Sequence, residues 1–142
     1  MIDRRLWLAL LVFGAVAAEA GPRTDYLLHC MGCHLADGSG TPPDVPALKG
    51  RVGYYLQIPD GRNYLMQVPG AANAPLTDAA LAALLNWMVD TFAQTSAPPA
   101  WAPFSEAEVA RHRHNAPADV DAWRHALWRQ IAQRFSDSTD GY

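Results

Sequence analysis

The stretch Cys30-Met31-Gly32-Cys33-His34 decides how the chain is read. Two cysteines separated by two residues, with a histidine directly after them, form the attachment pattern of a covalent c-type haem. The order has a mechanical reason. Each thiol adds to a vinyl group on one edge of a porphyrin, and the imidazole turns onto the iron from the same short stretch of backbone. Met31 and Gly32 keep the spacer small, and Gly32 has no side chain to stand between backbone and ring. A bare Cys-x-x-Cys has three rival readings: a structural zinc half-site, a redox dithiol and a disulfide. Zinc wants further ligands at comparable spacing, and the chain has 2 cysteines in all. A thioredoxin-like dithiol belongs among alternating strands and helices, a pattern this sequence lacks.

Upstream, Arg4 and Arg5 precede an apolar run from Leu6 to Ala18, and Ala18-Glu19-Ala20 has the small-x-small form of a cleavage site before Gly21. The run is about 13 residues long, against roughly 20 needed to span a bilayer. Residues 1–20 therefore read as a secretory signal cleaved after about Ala20, not as an anchor. Export places the mature chain in the periplasm without stable membrane insertion, and covalent haem attachment is expected outside the cytoplasm. The formal net charge is −3, and losing Asp3, Arg4, Arg5 and Glu19 leaves it unchanged. No basic patch suggests nucleic acid or an anionic membrane surface. The roughly 120 residues that remain make one small domain with a marginal core, which a buried porphyrin would enlarge.

Around the motif the chain reads as short helices joined by loops. Thr24 and Asp25 are helix-starting residues, which predicts a helix over 25–34 with the motif at its end. His29, next to Cys30, reads as an exposed helix residue. Ala36 to Pro43 is a run of turn formers. Pro46, twelve residues after His34, keeps a free carbonyl, and an axial histidine usually donates its second ring nitrogen to such an acceptor. Pro46 is the candidate, against the reading of an ordinary loop proline. One or two helical turns broken at Pro59 to Gly61 are expected next, and Val68 to Pro75 reads as loop. Thr77 then opens the clearest helix, with Leu81, Leu84, Leu85, Met88, Val89 and Phe92 as an apolar stripe and Trp87 alongside. Gln94 to Pro103 is a linker or wrapped strand. Ser105 with Glu108 forms a capping box. Val120, Trp123, Leu127 and Ile131 mark one face of a last helix ending near Phe135, and Ser136 to Tyr142 look frayed.

From about Tyr26 to Phe92 these residues resemble the small single-haem class I cytochromes c. The match rests on Tyr26 four residues before Cys30, on the motif itself, on Asp37-Gly38-Ser39-Gly40, on Pro46-Ala47-Leu48-Lys49-Gly50, and on the helix from Thr77 to Val89. The resemblance implies an all-α, cytochrome c-like fold of short helices around one covalent haem, and the C-terminal helical extension lies outside it. Residues 21–96 would be the cytochrome c domain and residues 97–142 a linker and extension. It also implies that the first and last family helices cross near a haem edge, with Trp87 at the crossing and Tyr26 as its partner. His34 would be the axial iron ligand and Cys30 and Cys33 the haem attachment points.

The family usually draws its second axial ligand, a methionine, from the loop before the last helix. Here Val68 to Leu76 contains none. Met66, eleven residues before Thr77, is the expected second ligand by reach, and Met88 the alternative, although a core methionine at helical spacing is common. His112, His114 and His125 read as solvated helix residues. Histidine opposite methionine leaves iron no open position and suits single-electron transfer, with Leu48, Leu65, Leu81, Leu84 and Leu85 as an apolar pocket that raises the potential. The expected function is that of a periplasmic electron carrier from a dehydrogenase to a terminal acceptor such as an oxidase, with no catalytic residues of its own. Two alternatives remain on the sequence. One is a haem enzyme or gas- or peroxide-binding protein with an open iron position, and the other a dedicated cytochrome subunit of a dehydrogenase complex. A binding module with a structural dithiol would require cysteines free of haem.

Overall fold

The computed structural model describes residues 20–42 and 44–136. The expected export signal, apart from Ala20, and the chain end beyond Ser136 lie outside the described residues. Among the described residues the regular structure is helical, and the only strand-like pairing is an isolated bridge between Thr41 and Val45. The chain is all-α. None of the described helices is long and apolar enough to cross a membrane.

Helix α1 (Pro22–His29) begins two residues ahead of Thr24. Pro22 explains the difference, since its fixed φ suits a first helical position and its missing N–H would have had no partner there. The helix also stops at His29, short of the motif. The Cys30 and Met31 N–H groups both close onto the Tyr26 carbonyl, at 2.9 and 3.0 Å, so the chain leaves α geometry just before Gly32. Cys30 to His34 then form a turn of their own, in which the Cys33 and His34 N–H groups donate to the Cys30 carbonyl at 3.1 and 2.9 Å.

The loop that follows is tied down at both ends. The Tyr26 hydroxyl donates to the Leu35 carbonyl at 2.7 Å. Asp37 accepts the Ser39 N–H at 3.1 Å and its hydroxyl at 2.6 Å, bonds that with Lys49 pull the exposed carboxyl down to about 2. Gly38 has φ +80°, and a Cβ there would sit 2.5 Å from the Phe92 ring, so only glycine fits. A 3₁₀ helix, Val52–Gln57, is separated from α2 (Gly61–Gln67) by the expected break. Part of the predicted loop winds into one turn, α3 (Pro69–Ala72), which again opens on proline.

Helix α4 (Asp78–Phe92) starts as predicted, with Thr77 Oγ1 accepting the Ala80 N–H at 3.1 Å. Its buried stripe meets α1 through three rings. Tyr26 lies 5.4 Å from Trp87 and 5.1 Å from Phe92, and Trp87 meets Phe92 edge-on at 5.4 Å. Such contacts add about 1 kcal/mol each beyond area burial.

The C-terminal segment folds onto the same core. Helices α5 (Glu106–His112) and α6 (Val120–Arg134) are capped by Ser105 and Asp119, and Phe104, Val109, Leu127 and Ile131 are buried with the α4 residues. Polar contacts fix the alignment. The Asn86 amide accepts the Phe104 N–H at 2.7 Å and donates to its carbonyl at 3.0 Å. Arg62 from α2 forks onto Glu108 at 2.5 and 2.8 Å and lies 4.0 Å above the Phe104 ring. Arg113, 5% exposed, donates to Asp78 at 2.9 Å and to the carbonyls of Leu76, Ala74 and Ala72 at 2.9, 2.9 and 3.2 Å.

Replacing Arg113 with methionine keeps the volume and strands these acceptors. The expected loss is about 3 kcal/mol, or roughly 10 °C in thermal unfolding for a domain of this size. A loss under about 1 kcal/mol would contradict the clamp. Glu108 gives a pH-dependent prediction. The hydrogen bond from Arg62 leads the causes that hold its carboxyl below the ordinary 4.5. A depressed folded pKa stabilises above the unfolded value and is lost as the pH falls through the folded one. Urea unfolding of Glu108→Gln is therefore expected to give a deficit against wild type near neutrality that closes in acid below about pH 4. An equal deficit at both pH values would count against it.

Candidate functional site

The motif turn opens onto a cavity of about 380 Å³, within the range of small-molecule and cofactor sites. Cys30, Cys33 and His34 lie on its wall, joined by Pro46 from the following loop and Met88 from α4. Most of the remaining wall is apolar: Leu48, Leu65, Leu81, Leu84 and Leu85 all line it. Two thiols and an imidazole from one turn thus face one largely apolar space.

The electrostatics follow from burial. The Cys30 thiol is pushed up to about 11, first by burial and then by Asp25 and Cys33, so it stays a neutral thiol at pH 7. Cys30 and Cys33 are not joined to one another, and Cys33 is exposed. His34 is pushed below its ordinary value by burial, while the Pro46 carbonyl beside it pulls the other way. The neutral ring is therefore favoured, the form in which imidazole binds metal. Its Nδ1 is buried and makes no hydrogen bond of ordinary geometry. The expected acceptor is thus adjacent, with the bond not drawn up. Tyr26 is pushed up to about 12, chiefly by burial, so its hydroxyl remains a donor at every physiological pH.

No family model, curated protein or solved structure matches the chain.

The two methionines part company. Met66 is fully buried and is absent from the cavity wall. In α2 the residues that reach the wall are Tyr64 and Leu65, with Val68 just beyond. At about 100° per residue, Met66 falls roughly 160° from the side that Tyr64 and Val68 share. The loop that would supply a ligand presents Val68, Pro69, Gly70 and Ala71 instead. His29, read as an exposed residue, is half-buried and borders the cavity. His112, His114 and His125 lie away from it. No group of three or more His, Cys, Asp or Glu gathers as a metal site among the described residues.

Arg51, Tyr55, Tyr64, Arg124 and Trp128 also stand on the wall, and no motif in the sequence points to them. The α6 residues did carry a signal. Val120, Arg124 and Trp128 are spaced i, i+4, i+8 and form a second stripe beside Trp123, Leu127 and Ile131.

Alkylation of the haem-free chain at neutral pH is expected to label exposed Cys33 well before Cys30. With a pKa of about 11, Cys30 holds only about one part in 10⁴ thiolate at pH 7. Peptide mapping over time checks the order, and equal rates would contradict the placement.

Proposed function

We propose that this chain is a single-haem c-type cytochrome, exported to the periplasm, that carries single electrons between a dehydrogenase and a terminal acceptor such as an oxidase. The observation that supports this reading most is the convergence of Cys30, Cys33 and His34 on one largely apolar cavity. The residues present fit the group. Both cysteines are free thiols, and each would add across a vinyl double bond, sulfur to one carbon and the thiol hydrogen to its neighbour, with no oxidant needed. The neutral His34 ring would serve as the first axial ligand, steadied by the Pro46 carbonyl.

Bound haem supplies one-electron chemistry at its iron, tuned by the axial ligands and the surrounding dielectric. The chain's residues set that environment. The five leucines exclude water and disfavour extra positive charge, which favours the reduced form. Met88 stands on the cavity wall and would be the methionine to serve as the second iron ligand. Leu28, Met31 and Leu35 are exposed, at 67%, 40% and 49%; Leu28 and Leu35 flank the motif in sequence and Met31 lies within it. Exposed apolar side chains beside the haem motif suit the brief, low-area encounters of redox partners.

A second reading is favoured by a specific observation: Met66 is turned from the cavity and the 68–71 segment brings no ligand. If Met88 also fails to ligate, the iron keeps an open position, and binding of a gas or peroxide becomes the better account.

Absorption spectra separate the two. The carrier reading expects a methionine-to-iron charge-transfer band in the oxidised wild type, lost in Met88→Ala and retained in Met66→Ala, with little carbon monoxide binding to the reduced protein. Absence of the band together with rapid carbon monoxide binding would replace the carrier with the open-site protein.

A further inference from the structure

We infer that helix α6 is the lid of the cofactor cavity and that Arg124, together with Arg51, holds a carboxylate-bearing edge of the porphyrin. This inference rests on the proposed haem reading. It assigns the C-terminal extension to the cofactor itself.

The stripe Val120, Arg124 and Trp128 lines the same cavity as Cys30 and His34. Arg124 is tied at two of its nitrogens. Nη1 donates to the Asp44 carbonyl at 3.0 Å, a contact spanning 80 residues of sequence, and Nη2 lies 3.3 Å from Asp121. Its side chain is 12% exposed, and Nε is buried without an acceptor. Leaving such a group unpaired is unfavourable, more so when it is charged. An acceptor supplied by the occupant of the cavity would remove that cost. Arg51 also lines the cavity, and its guanidinium stands 5.2 Å from the centre of the Trp128 ring. Two guanidiniums from separate parts of the chain therefore border one apolar space.

The chemistry of the occupant matches this placement. A porphyrin joined to protein through its vinyl groups retains two propionates, and guanidinium forks recognise carboxylates. Asp44 and Asp121 border the same part of the wall. Asp44 contributes its backbone carbonyl to Arg124, and Asp121 is an exposed partner in the next turn of the helix. Neither reaches Nε.

The test is a fluorescence titration of the full haem-free chain with zinc protoporphyrin and with its dimethyl ester, which lacks the carboxylates. Wild type is expected to prefer the diacid. Arg124→Gln is expected to weaken the diacid about tenfold, the effect of one charge-assisted hydrogen bond, and to leave the ester unchanged. Arg124→Lys keeps a cation at the site and is expected to retain part of the preference, which serves if the glutamine variant folds poorly. Arg129→Gln, on an exposed position of α6, removes the same charge and is expected to change nothing. Equal loss for diacid and ester in Arg124→Gln, or no loss for either, overturns the arginine assignment while porphyrin binding stands. Wild type that binds neither compound overturns the haem reading instead.

Discussion

The Tyr26 ring, lodged against Trp87 and Phe92, is the contact on which the rest of the structure depends. It pins α1 across α4, and the motif turn leaves α1 directly after that crossing. Its hydroxyl, bonded to Leu35, also fixes the chain on the far side of His34. The turn is thereby held at both ends, and the leucines of α4 become the opposite wall. Gly38 belongs to the same arrangement, because the Phe92 ring fills the space a side chain would need. A motif of five residues has little structure of its own, and these packed rings give it a place.

The extension works by the same logic with different forces. Arg62 donates to the Ala102 and Pro103 carbonyls and to Glu108, and the terminal nitrogens of Arg113 donate to Asp78 and to carbonyls of neighbouring segments while its Nε stays buried without an acceptor, which aligns α5 against α2, α3 and α4. Helix α6 then has two working faces. Trp123, Leu127 and Ile131 join the core, and Val120, Arg124 and Trp128 border the cavity. The apolar interior of a chain this size is limited, and the extension enlarges it while closing the space in front of the motif.

Local features were legible in the sequence because their causes are local. Thr77, Ser105 and Glu108 lie within three or four residues of the groups they cap, and the leucine stripe of α4 follows from helical period alone. Helix α1 differs from the expected 25–34 at both ends, because Pro22 serves as a first helical residue and the Tyr26 carbonyl accepts two bonds where an ideal helix gives one. The roles of Arg62, Arg113 and Arg124 were not legible. A long charged side chain reads as solvated by default, and what buries these three lies tens of residues away. Met66 was favoured by reach along the chain, but rotation about α2 sets which way a side chain faces, and its neighbours Tyr64 and Val68 take the cavity side.

The proposed function requires that Cys30 and Cys33 hold a haem through thioether bonds. The intact mass of the full chain, expressed in an export-competent host supplied with haem and measured after denaturation, tests it most directly. The expected mass is that of the mature polypeptide plus one haem, with the added mass lost when both cysteines are replaced by alanine. A denatured product with the mass of the polypeptide alone would contradict it.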